Sequence, residues 1–202
     1  MRYSQNNEEE IIREYFGDQV GTFLDLGAND GRTLSNTAAC ANRGWSGLMV
    51  EASPTVFELL HSRYKGNLRV YCINVAVGTS CRRITLHESG EHLGVGDRSL
   101  LSTVVASERD RWTRETFEEV EVDCVDFATL MKTTTMRRFD LISIDIEGMD
   151  LPVLRQMDLD ELACRMLIVE FNGKDQHLFD AEAHKYGMHL HSKNAENLIY
   201  VR

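Results

Sequence analysis

Short apolar runs alternate with stretches of helical spacing along most of this chain, and that alternation restricts the fold more than any other feature. "GTFLDLG", "SGLMVEAS" and "LRVYCINVAVG" read as strands. Ile11, Ile12, Tyr15 and Phe16, then Leu34, Ala38 and Ala41, then Val56, Leu60 and Tyr64 recur at helical spacing around them. Asn7 suits a cap for the first helix, and Pro54 a first-turn position. Strand, helix and strand in this order predict an α/β fold, a parallel sheet with helices on both faces. The first strands are apolar almost throughout, as strands covered on both faces are.

The pattern returns in "RFDLISIDIEG" and "CRMLIVEFNG", each ending in acids, with a helix marked by Leu151, Leu154 and Met157 between them. A last helix over residues 175–186 precedes "GMHLHS" and "NLIYVR", which suit a closing hairpin. The middle is less regular. "RRITLHES" and "EEVEVDCVDF" read as strands, and Phe127, Leu130 and Met131 as a short helix. Residues 88–113 show no period and predict a long loop on the substrate side. At 202 residues without repeat or proline-rich linker, one domain over 1–202 is the expectation.

The formal net charge of −10 argues against a phosphate-backbone partner, so no nucleic acid is expected. No apolar run approaches membrane-spanning length, so no membrane insertion is expected either. The five cysteines include no CxxC pair and lie mostly in apolar segments, and the N-terminus lacks a signal-peptide pattern. Both point to reduced thiols in a cytoplasmic protein.

In "FLDLGANDG" the glycines permit a sharp turn and close approach of a ligand, and the start of the following helix offers N–H groups to an anion. The spacing is Asp25-x-Gly27-x-x-x-Gly31, without the Gly-x-Gly-x-x-Gly of nicotinamide sites. A carboxylate at position 25 repels a diphosphate and suits an ammonium group. Glu51 ends the second strand twenty residues beyond Gly31, where a carboxylate accepts from both hydroxyls of a ribose. The competing reading of Glu51 is a solvated strand end. A ribose, an ammonium group and a small anion together describe S-adenosyl-L-methionine.

"FLDLGANDGRTLS", "MVEASP", "INVAVG", "DLISIDIEGMDLPVLRQMD" and "LIVEFNG" resemble the motif series of the FkbM family of S-adenosylmethionine-dependent methyltransferases, from Phe23 to Gly173. Asp-x-Glu-Gly followed by Leu-x-x-Leu is the most family-specific piece, and the stretch 82–120 matches weakly. Glu-Ala-Ser-Pro stands where the family more often has Glu-Pro. The resemblance implies a Rossmann-like class I methyltransferase fold, a mostly parallel seven-stranded sheet with an antiparallel last strand. It also implies methyl transfer to a hydroxyl of a saccharide, glycolipid or similar small molecule. Carried over, Asp25, Gly27, Ala28, Asn29 and Gly31 line the methionine end and Glu51 takes the ribose. Ala52 and Ser53 border the adenosine, and Asn74, Val75 and Ala76 approach the adenine.

Ligands of open α/β sheets sit beyond the carboxyl ends of the strands. There, Asp145, Glu147 and Asn172 are candidate catalytic residues, and Asp145 also a cofactor contact. An alcohol attacks a methyl sulfonium only as its proton leaves, to a base or under the pull of a divalent metal. Asp145, Glu170 and Asn172 offer hard oxygen ligands suited to an ion such as Mg²⁺. Each also has a plainer reading: Asp145 as a pocket wall, Glu147 as a local cap, Asn172 before Gly173 as turn chemistry. His87, His92 and His177 are possible bases that the sequence does not place. His189 and His191 lack the further ligands a zinc site needs. Arg109, Arg111, Trp112 and Arg114 form a basic, aromatic patch that suits an anionic substrate or a solvated helix face. A nicotinamide-dependent oxidoreductase and a non-catalytic cofactor-binding module are the alternatives.

Overall fold

The computed structural model describes residues 2–94 and 97–202. After α1 (Glu8–Phe16) come β1 (Thr22–Leu26), α2 (Ala38–Asn42), β2 (Ser46–Glu51), α3 (Pro54–Tyr64) and β3 (Val70–Asn74). Then follow β4 (Ala76–Gly78), β5 (Arg82–Ser89), α4 (Ala106–Arg109), β6 (Phe117–Asp126) and α5 (Phe127–Lys132). The chain closes with β7 (Leu141–Ile144), α6 (Asp150–Leu154), β8 (Met166–Glu170), α7 (Gln176–His184), β9 (His189–Lys193) and β10 (Asn197–Val201).

Seven strands form one sheet in the order β3-β2-β1-β7-β8-β10-β9. The pairs from β3 through β8 are parallel, and β10 runs antiparallel to both its neighbours. This is the mostly parallel seven-stranded sheet with an antiparallel last strand that the resemblance implies, and β9 and β10 form the expected closing hairpin. Alternate residues of the central strands face opposite sides. Leu24, Leu26, Leu48, Val50, Ile142, Ile144, Leu167 and Val169 pack against α5, α6 and α7 through Phe127, Leu130, Val153, Leu154 and Phe179. Phe23, Met49, Leu141 and Ile168 pack on the other face against Ile12 and Phe16 of α1, Cys40 and Ala41 of α2, and Leu60 and Tyr64 of α3. Each of these strand residues is at most 1 % exposed, which is why the strands read as continuous apolar runs.

A second sheet, in the order β4-β6-β5, branches off the first. β4 pairs parallel with β6, and β5 antiparallel with it. β5 and β6 correspond to the two predicted middle strands. The segment between them holds α4 and a bridge between His87 and Thr103. It is therefore only partly the loop expected over 88–113, of which residues 95 and 96 lie outside the described residues.

Two local expectations are corrected. Asn7 takes the N-cap position in a left-handed conformation and its side chain caps nothing. Glu8 and Glu9 instead accept from the N–H groups of Asn6, Tyr3 and Ser4. The second helix does not follow the glycine turn directly. It begins only at Ala38, and Leu34 has φ 54. The intervening loop is held by Asp30, which accepts from the N–H groups of Arg32 and Thr33 and pairs with Arg63 at 3.2 Å. All five cysteines are free thiols, three of them buried. Among the described residues, no helix is long and apolar enough to cross a membrane.

Candidate active site

The exits of β1, β2, β7 and β8 meet at a cavity of about 270 Å³. Gly27 is the joint. Its N–H and that of Ala28 donate to the Val50 carbonyl at 2.9 and 3.0 Å, and the Asp145 N–H donates to the Leu26 carbonyl at 2.9 Å. Gly27 has φ +85, and a Cβ there would lie 1.7 Å from the Asp145 carbonyl oxygen. Only glycine lets the first turn and the end of β7 approach this closely.

Glu51 is 7 % exposed, so it is not a solvated strand end. Its Oε2 accepts from the Asn29 N–H and its Oε1 from the Ser53 N–H, both at 2.8 Å. These bonds fix the carboxylate and leave each oxygen a further lone pair. Asn74 supports the same corner, donating to the carbonyls of Glu51 and Ala52. Asp25 is 4 % exposed and accepts from the Thr37 hydroxyl at 2.5 Å.

The loop after β7 is organised by Asp150, which accepts from the N–H groups of Ile146 and Gly148 at 3.0 Å each. Asp150 thus has the local capping role that the sequence offered to Glu147. Glu147 sits in a left-handed conformation, its carbonyl accepts from the Thr103 hydroxyl, and its side chain lines the cavity. One carboxylate oxygen from each of Asp145, Glu147 and Glu170 lies within 4.8 Å of the others. Glu170 is 8 % exposed, and its Oε2 is buried without a hydrogen-bond partner.

The structure gathers Asp25, Gly27, Ala28, Asn29, Glu51, Ala52, Val75, Ala76, Asp145, Glu147, Glu170 and Asn172 around the one cavity. Gly31, Ser53 and Asn74 stand outside its lining. Gly31 packs on α3, where a Cβ would meet the Tyr64 ring at 2.5 Å. Ser53 caps α3 by accepting from the Val56 N–H, and it also bonds Glu88. Sequence reasoning missed Gln5 and Glu196, which line a further stretch of wall, and Asn36 and Ser143, bonded to each other at 3.2 Å. Asn6 bonds Glu196 at 2.7 Å, so the N-terminal segment is tied to that wall. No local pattern marks such a contact between residues 190 positions apart.

His92, Leu93, Ser99–Ser102, Val104, Arg111 and Trp112 bring the segment between β5 and β6 over the cavity. The Asn29 side chain donates to the Arg98 carbonyl at 2.9 Å and ties this roof to the glycine turn. His87, His177, His189 and His191 do not line the cavity.

Crowding and burial raise every carboxyl group on the floor. Burial lifts Asp25 to about 6 and Glu51 to about 7, the latter against the pull of the Ser53, Asn29 and Ala52 N–H groups. Burial, reinforced by neighbouring carboxylates, lifts Asp145 to about 8 and Glu147 to about 9, and holds Glu170 well above the usual range. Asp145 is exposed by area yet enclosed by protein, because it opens into the cavity, where the water it meets is confined. Arg111 is the cation among the lining residues, and it is paired with Glu108. A positively charged guest therefore meets acidic groups whose ionised forms its arrival favours.

The sequence model of the Methyltransferase FkbM domain matches residues 25–190. No curated protein matches the chain. Among solved structures, the methyltransferase FkbM of Methylobacillus flagellatus KT superposes with a TM-score of 0.57 at 13 % identity, over 99 % of this chain and 48 % of that one. The chain thus spans about half the length of that relative. The ribosomal protein L11 methylase of Lactobacillus delbrueckii subsp. bulgaricus superposes with a TM-score of 0.51 at 12 % identity, over 96 % of this chain and 77 % of that one. Identities this low speak for the fold alone, the class I methyltransferase fold. With the domain match extending over most of its length, the chain belongs to the methyltransferase FkbM domain family.

Proposed function

We propose that the protein binds S-adenosyl-L-methionine in this cavity and transfers its methyl group to a hydroxyl of a saccharide, glycolipid or similar small molecule. The observation that carries the reading is the set of buried carboxyl groups at four strand ends, with Glu51 pinned by two N–H groups and two oxygen lone pairs still to fill. The donor's ammonium and sulfonium supply positive charge beside Asp25 and Asp145, and its ribose diol matches Glu51. Ala52, Val75, Ala76 and Val77 form an apolar slot for the base. Family membership supports methyl transfer; the hydroxyl acceptor is this reading's own step.

A divalent cation such as Mg²⁺ is the second component. Asp145, Glu147 and Glu170 fit one by their mutual approach and by the partnerless Glu170 oxygen, with Asn172 bonded to Glu170 beside them. Such an ion supplies orientation of a hydroxyl and a lowered pKa for it.

Calorimetry of the purified protein with S-adenosylmethionine, S-adenosylhomocysteine and NAD⁺ tests the donor. Binding of the first two is expected, with loss of about 1.5–3 kcal/mol in Glu51→Ala from the missing charged hydrogen bonds. Uptake of NAD⁺ alone overturns the reading in favour of the oxidoreductase. Radiolabelled methyl transfer to methyl hexosides and simple phenols, with and without a chelator, tests acceptor and cation. Donor binding with no transfer to any of them favours the non-catalytic module.

A further inference from the structure

Methyl transfer to an alcohol releases a proton, and the floor of the cavity is poorly placed to receive it. Its carboxylates face one another and, on the methyl-transfer reading, the cationic donor. A base suits the other wall, across the acceptor from these carboxyl groups. Among the described residues, that wall holds one arrangement of this kind. His92 lines the cavity, and its Nδ1 lies 3.1 Å from Glu115 Oε1. A carboxylate only accepts, so Nδ1 carries the hydrogen and Nε2 carries the lone pair. Nε2 has no hydrogen-bond partner among the described residues. The ring is held on a second side by Trp112, edge-on at 5.2 Å between centroids, and the His92 backbone N–H is anchored to Asp97 at 2.9 Å. Trp112 also lines the cavity, and its indole Nε1 is buried with no partner. Arg111 stacks over the same indole at 5.8 Å. Glu115, Asp97 and Arg111 are thus the charged groups around the imidazole.

We propose that His92, oriented by Glu115, is the base that accepts the proton of the acceptor hydroxyl. This rests on the methyl-transfer reading above. The hydroxyl oxygen attacks the methyl carbon, and the C–S bond breaks with its electron pair going to sulfur. The hydroxyl proton moves to His92 Nε2. The positive charge that leaves the sulfonium reappears on the imidazolium, where Glu115 balances it. His92 touches the acceptor, and Glu115 is a positioning residue acting through it.

The test uses the full chain, S-adenosylmethionine and the acceptor panel of methyl hexosides and phenols. His92→Gln is expected to lower kcat by about 10²-fold or more, with the acid limb of the pH profile removed and S-adenosylhomocysteine affinity within about twofold of wild type. In His92→Ala, added imidazole restores turnover. Glu115→Gln lowers kcat about tenfold with little change in KM. Methyl transfer that His92→Gln leaves within about twofold, or an acid limb that persists in it, overturns the assignment of the base while the parent reading stands. Failure of S-adenosylhomocysteine to bind the wild type overturns the parent reading. Binding without transfer to any hydroxyl on the panel overturns the hydroxyl class and the base with it.

Discussion

Replacing Glu51 by glutamine separates what this residue does for the fold from what it does for the ligand, because the two effects have opposite signs. Burial lifts the carboxyl group from its ordinary 4.5 to about 7. The folded state thus holds the proton more tightly than the unfolded chain does. The stabilisation from that proton is complete below about pH 4.5 and is lost as pH rises through about 7. At about 1.4 kcal/mol for each tenfold change in proton affinity, the loss across this window is about 3 kcal/mol. In Glu51→Gln it disappears. The amide still accepts from one of the two N–H groups now bonded to Glu51, but its NH₂ faces the other, at a cost of about 1 kcal/mol that does not depend on pH. Urea unfolding of the ligand-free proteins at pH 5, 6, 7 and 8 should therefore give curves that cross. The variant is the weaker protein at pH 5 and the stronger by about 2 kcal/mol at pH 8. The same variant should bind S-adenosylmethionine at least about tenfold more weakly, having lost an ionised acceptor for the ribose. Stability differences that stay constant from pH 5 to 8 would refute a buried, proton-holding Glu51. An unchanged donor affinity would refute its ribose role.

Gly27→Ala should cost about 3 kcal/mol or more, since the new methyl group meets the Asp145 carbonyl at 1.7 Å in a left-handed backbone; a wild-type melting temperature would count against this joint. Asp150→Ala removes the carboxylate that accepts from the N–H groups of Ile146 and Gly148. It should destabilise the protein by about 2 kcal/mol and impair methyl transfer through a loosened Glu147, as chemical unfolding and turnover measured together would show. Asp145 and Glu147, raised to about 8 and about 9, hold protons at neutral pH in the ligand-free protein. S-adenosylmethionine, being cationic, should displace about one proton at pH 7.5, and the neutral-sulfur product fewer. Calorimetry in phosphate and in Tris reads the number, and equal heats for the two ligands in both buffers would refute it.

The central sheet was legible because burial on both faces writes a strand as an unbroken apolar run. The runs at Phe23, Leu48, Leu141 and Leu167 needed no other signal. The acidic lining of the cavity was legible for a related reason: in a parallel sheet the strand ends fall on one edge, so Asp25, Glu51, Asp145 and Glu170 had to converge. The turn after β1 was not legible in detail. Apolar Leu34 and Ala38 keep helical spacing, but the Asp30 side chain satisfies the N–H groups of Arg32 and Thr33 and delays the helix to Ala38. Gly31 looked like a ligand contact, yet it makes room for Tyr64, a packing demand from α3 that no local pattern shows. The pairing of His92 with Glu115 spans 23 positions of irregular chain and depends on how that segment folds back.

The strand leaving the large sheet enters the small one after a single residue, Val75, between Asn74 at the end of β3 and Ala76 at the start of β4. Val75, Ala76 and Val77 are also the proposed purine slot, so the two sheets share one rigid hinge pin and the nucleoside rests against it. The acceptor roof hangs from the small sheet through β5 and β6. Any rocking of that sheet that admits a bulky acceptor must also widen or narrow the purine slot. On the proposed reading, donor grip and acceptor entry are coupled to each other through three consecutive residues.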